Sequence, residues 1–74
     1  MEIEPGHWVV VGGDGVVGLV DQVDERSVTV RPMIWLAGRR GVSRHQQTHT
    51  RDSVSAVAAS MLEAQAAKAA LRAA

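Results

Sequence analysis

Through the first two-thirds of the chain, apolar residues come in short runs divided by glycines and charged turns. After residue 52 the pattern gives way to an alanine-rich stretch without glycine or proline. The β-branched run at residues 7–11 follows Pro5-Gly6 and predicts a first strand, with Val9 and Val11 on one face and Trp8 and Val10 on the other. Gly12-Gly13-Asp14-Gly15 is a loop whose glycines permit positive φ. A second strand is expected over residues 16–23. There Val20 and Val23 stand three apart, so both face inward only if a β-bulge resets the phase.

Asp24-Glu25-Arg26 forms the next turn, and residues 27–31 alternate cleanly as a third strand carrying Val28 and Val30 inward. Pro32 lacks the N–H a ladder needs and is expected at a strand end, an edge or a bulge. Residues 33–37 predict a fourth strand, Gly38-Arg39-Arg40-Gly41 a hairpin turn, and residues 42–48 a fifth strand. If the register holds through Pro32, Ile34 and Leu36 point inward and Met33 and Trp35 outward; a shift there buries Trp35 instead.

From residue 52 the composition predicts a helix, with Thr50, Asp52 or Ser53 as N-cap. Its apolar face consists of Val54, Val57, Met61 and Leu62 at i, i+3/i+4 spacing. Beyond them the same line meets Gln65, Lys68 and Arg72, so the end of the helix is expected to be loosely anchored, or to pack on a second copy through its small side chains. The division is therefore residues 1–51 as a β domain and 52–74 as a helix that either belongs to that domain or drives oligomerisation.

The pattern Gly6-x-x-Val9-x-Val11, the loop, then Gly15-x-x-Gly18-x-Val20 resembles the KOW motif. That motif forms part of an SH3-like β-barrel in ribosomal proteins and bacterial transcription elongation factors. The continuation Gly18-x-Val20-x-x-Val23 to Val28-x-Val30 is similar to the second hairpin of many small SH3-like barrels. The resemblance implies an SH3-like barrel; with the strands and the helix read above, the expected fold is mainly β, a five-stranded SH3-like barrel followed by one C-terminal α-helix. KOW modules that bind RNA carry bases around the glycine loop, whereas this loop holds only Asp14, so that role does not transfer to it. The plasmid-encoded type II dihydrofolate reductases are also short SH3-like chains, but their Val-Gln-Ile-Tyr strand is missing and the chain has no tyrosine.

Charge changes the picture more than composition does. The net charge is zero, yet residues 1–25 contain only acids and residues 26–51 only bases. Either the two sets pair across neighbouring strands, or the second forms a basic face. At 74 residues with no cysteine, the chain must rely on a well-packed core or on self-association rather than disulfides. No signal peptide or membrane-length apolar run is visible, and a cytoplasmic protein is expected. The preference for arginine, alanine and valine is like that of a high-GC bacterium or its phage.

Candidate chemistry is sparse. His45 and His49 share the spacing of a ligand pair, but the chain has no cysteine to complete a metal site, and polar surface histidines are expected. No nucleophile stands beside a base, and no lysine follows the glycine loop as a phosphate cradle would need. The sequence thus predicts neither an enzyme, a cofactor nor a small-molecule substrate. The expected function is an interaction module that self-associates or docks on a protein partner through Trp8, Met33, Trp35, Val54, Val57, Met61 and Leu62. The alternative is nucleic-acid binding through Arg31, Arg39, Arg40 and Arg44, with a tryptophan available for base stacking.

Overall fold

A computed structural model describes residues 2–73. The chain is mainly β, with six antiparallel strands and one C-terminal helix: β1 (Trp8–Val11), β2 (Val16–Val23), β3 (Ser27–Leu36), β4 (Arg39–Val42), β5 (Gln47–Thr50), β6 (Val54–Ala58) and α1 (Met61–Ala73). The sheet order is β4-β3-β2-β1-β6, and β5 pairs with the first half of β3. Among the described residues no helix is long and apolar enough to cross a membrane.

Valine sets the core. The largest fully buried side chains are Val9, Val10, Val11, Val20, Val28 and Val30, each worth about 1.5–3 kcal/mol when removed from water. The alternation sorts them onto two faces. Val9, Val11, Val20, Val28 and Val30 meet Ile3 inside the curved sheet, joined by Val16, Val23, Val54 and Val57. Val10 and Val17 point the other way and meet Ala64 of α1, with Trp8, Met33, Ala56 and Ala58 around them. Ile3 reaches the core because Pro5-Gly6 turns the chain: the His7 N–H donates to the Glu4 carbonyl, and Gly6 adopts φ +93°.

Two bulges bend the sheet. Between Val20↔Val30 and Gln22↔Thr29 the residue Asp21 has no opposite number, so Val20 and Val23 both face inward as expected. Between Val10↔Ala56 and Val11↔Val54 the extra residue is Ser55, and it brings Val54 and Val57 to the inner face in the same way.

This second bulge corrects the expected helix. Residues 54–58 are a strand that pairs with β1, and the helix begins at Met61 rather than at residue 52. An i, i+3 pair of valines fits a helix stripe and a bulged strand equally well; the unpaired edge of β1 decides for the strand. The N-cap is Ser60 rather than Thr50, Asp52 or Ser53: its Oγ accepts from the Glu63 N–H at 3.2 Å, and the Glu63 carboxylate accepts from the Ala59 N–H at 3.1 Å. Ser53 instead donates to the Thr50 carbonyl within a 3-10 turn, Arg51–Ser53.

The expected five-stranded closed barrel also needs correction. The sheet is open: β5 and β6 share no ladder among the described residues, because the 3-10 turn takes up the corner between them. That corner is tied on both sides, with Gly12 N–H donating to the Ser53 carbonyl and Arg51 N–H to the Arg26 carbonyl. The third and fourth expected strands are one continuous β3, and the fifth is divided into β4 and β5 around residues 43–46.

Candidate interaction surface

The departure of β3 from the main sheet builds the most exposed feature of the molecule. The β2–β3 ladder ends at Gly18↔Pro32. Pro32 has no N–H to give, but its carbonyl still accepts from the Ser43 N–H on the β4 side at 2.8 Å. Past Pro32, β3 keeps only β4 as a strand running along it among the described residues, and the two project as a hairpin. The turn consists of Ala37 and Gly38, with φ of 51° and 76°, in place of the expected turn at residues 38–41. Two successive left-handed residues match the twist of a two-residue hairpin. At Ala37 the Cβ makes that conformation cost about 1–2 kcal/mol.

The hairpin register places Trp35 opposite Arg40 and Leu36 opposite Arg39. Trp35 and Leu36 are each 61% exposed, one on either face of the two-stranded ribbon. Leu36 was expected inward with Val28 and Val30. It is exposed because the ribbon has left the core by that point, so correct parity no longer implies burial. The Arg40 guanidinium lies over the Trp35 ring at 5.4 Å from its centroid, worth about 0.5–1 kcal/mol at an exposed site. Arg39, Arg40 and, on the following loop, Arg44 are exposed.

Arg31 stands apart from these three. It lies within the main sheet and pairs with the bulged Asp21, Nε to Oδ2 at 3.3 Å, and the Gln46 side chain donates to the same carboxylate oxygen. With 40% and 35% of the two side chains exposed, the pair stabilises the fold by no more than about 1 kcal/mol.

The other expected contact residues are spread over three environments. Trp8 and Met33 do face outward, where α1 packs against the sheet; the Met33 sulfur accepts from the Gln65 amide at 3.3 Å. Val54 and Val57 line the inner core from β6. Met61 is half-buried at the start of α1, and Leu62 is 63% exposed beside it. Of the seven, Trp35 and Leu62 are left as large exposed groups, and they sit on different elements.

Where β3 leaves β2, a cleft of about 390 Å³ opens. Val16, Val17 and Met33 form its floor, and Gln65, Lys68 and Arg72 of α1 form its wall. Lys68 and Arg72 also border a second hollow with the glycine loop, where the Lys68 stem lies 3.5 Å from the position a Cβ on Gly15 would take. The two bases thus stand between the loop and the hairpin. Sequence reasoning placed them on a loosely anchored tail and missed this, since the packing of α1 across β1, β2 and β6 is what brings them there.

The histidines do not converge. His7 accepts from the Glu4 N–H, His49 bonds Gln47 beside Gly12, and His45 is exposed on the loop after β4. No family model, curated protein or solved structure matches this chain.

Proposed function

We propose that this protein is a non-enzymatic interaction module, SH3-like in its strand order, that docks on a protein partner through the β3–β4 hairpin. The observation that carries the reading is the pair Trp35 and Leu36, each 61% exposed on opposite faces of the outer half of the ribbon, beyond the point where Met33 packs against α1. Exposed tryptophan flanked by arginine is the composition of interface hot spots. Trp8, Met33, Val54 and Val57 are occupied within the fold, which moves the contact from the helix to the hairpin.

The test compares the complexes that tagged protein forms in its own cells. Trp35→Ser with Leu36→Ser should fold normally and lose them, while Leu62→Ser should keep them. Complexes unchanged by the double substitution would end the reading. Equilibrium sedimentation divides its two forms: a stable monomer at micromolar concentration removes self-association and leaves an external partner.

Nucleic-acid binding is the second reading, favoured by Arg39, Arg40 and Arg44 around Trp35 with no acid between residues 26 and 51. It predicts binding to mixed DNA and RNA at low salt that falls steeply as salt rises, with a flatter slope for Arg39→Ala/Arg40→Ala. No retention at low salt would remove it.

A further inference from the structure

We propose that the cleft between β2 and the hairpin receives an extended acidic peptide, added as a strand along residues 33–36 of β3. This rests on the docking reading and gives it a binding mode and a partner chemistry.

The first ground is an open backbone edge. The Pro32 carbonyl points to β4, since it accepts from Ser43. Successive residues of a strand turn their N–H and C=O groups to opposite sides. Met33 and Trp35 therefore direct theirs away from β4. The Gly18↔Pro32 pair, in which proline cannot donate, takes the Met33 N–H onto the Val17 carbonyl, so the groups left open beyond β2 are the Met33 carbonyl and the N–H and carbonyl of Trp35. The edge reads Met-Ile-Trp-Leu, with no charge. Edges of this kind are ordinarily blunted, covered or used as pairing templates, and no strand covers this one among the described residues. An added strand gains main-chain hydrogen bonds there and sets alternate side chains against Val17 and Met33.

The second ground is charge. Lys68 and Arg72 stand on the helix wall, and Arg40 stands across the hairpin beside Trp35. The cleft lining contains no acid; Asp14 borders the hollow on the far side of Lys68. If two copies paired this edge about a twofold axis, each would set its own bases against the other's. An acidic segment meets them with opposite charge instead. A single-stranded nucleic acid would satisfy the bases but leave the Trp35 amide unpaired.

The experiment titrates the full chain with an eight-residue peptide of alternating valine and glutamate, followed by amide NMR and hydrogen exchange. The expected result is slowed exchange at the Trp35 amide, with the Met33 amide, already paired to Val17, as the internal reference. Affinity should fall at least tenfold for Lys68→Glu/Arg72→Glu, and as much for the same peptide with alternate amides N-methylated. Absence of binding at millimolar peptide, or equal affinity for the N-methylated peptide, overturns strand addition. Tighter binding of oligo-dT than of the peptide, without protection of the Trp35 amide, overturns it in favour of a nucleic acid. If the peptide fails while Trp35→Ser/Leu36→Ser still abolishes the cellular complexes, only strand addition falls. If those complexes survive the double substitution, the docking reading falls with it.

Discussion

Replacing Gly18 with alanine tests whether the small size of the inner core, rather than backbone freedom, requires glycine at that position. Gly18 lies in β2 between Val9 and Pro32, and its φ is not in the left-handed region. A Cβ there would sit 3.0 Å from Cβ and 3.1 Å from Cγ2 of Val30, and 3.4 Å from the Arg31 carbonyl oxygen. Val30 is fully buried and branched at the contacting atom, so it has no flexible end to swing aside. Overpacking of this kind costs about 1–3 kcal/mol, offset by about 0.4–1 kcal/mol from the reduced entropy of the unfolded chain. A net loss near 1.5 kcal/mol lowers Tm by roughly 6–12 °C in a domain of this size. Gly13→Ala is the matched control, because its Cβ meets nothing within 4 Å and its φ is not positive; it should be neutral or slightly stabilising. Thermal and urea unfolding of both variants decide the matter. A Gly18→Ala protein as stable as Gly13→Ala would refute the close-packing argument.

The strand assignment of β6 predicts that Val57→Ala, which removes two methyl groups from the inner core, costs about 1.5–2.5 kcal/mol. Leu62→Ala at an exposed position should stay within about 0.5 kcal/mol; equal losses in urea unfolding would contradict the assignment. The cap assignment predicts that Ser60→Ala destabilises by about 1 kcal/mol and lowers the far-UV helical signal. Ser53→Ala should leave that helical signal in place, and the reverse order would return the helix start to residues 52–53.

Much of the inner core was legible because strand periodicity is local. Val9, Val11, Val28 and Val30 follow strict alternation, and the three-residue step from Val20 to Val23 has few remedies other than a bulge, which Asp21 supplies. The same step from Val54 to Val57 was misread, although Ser60-x-x-Glu63 carried the signature of a capping box seven residues into the expected helix. The candidate surface was legible in part. The exposure of Trp35, Arg39, Arg40 and Arg44 follows from strand parity and turn composition, whereas parity alone puts Leu36 in the core and leaves Lys68 and Arg72 on a loosely anchored tail.

Residue type and spacing alone call for a valine-filled two-faced sheet, a helix with little apolar surface, and acids in residues 1–25 followed by bases in residues 26–51. Those properties depend on residue type and short-range spacing, which the unfolded chain already carries. That residues 54–58 form a strand depends on long-range pairing, because their partner β1 lies at the other end of the chain and local spacing fits two periods. The tertiary structure also decided that β3 leaves β2 at Pro32, turning an unremarkable hairpin into an exposed ribbon with an open edge. The packing of α1 then set Lys68 and Arg72 beside that edge. The candidate surface, assembled from three distant segments, has no local signal, since long-range contacts alone bring its parts together.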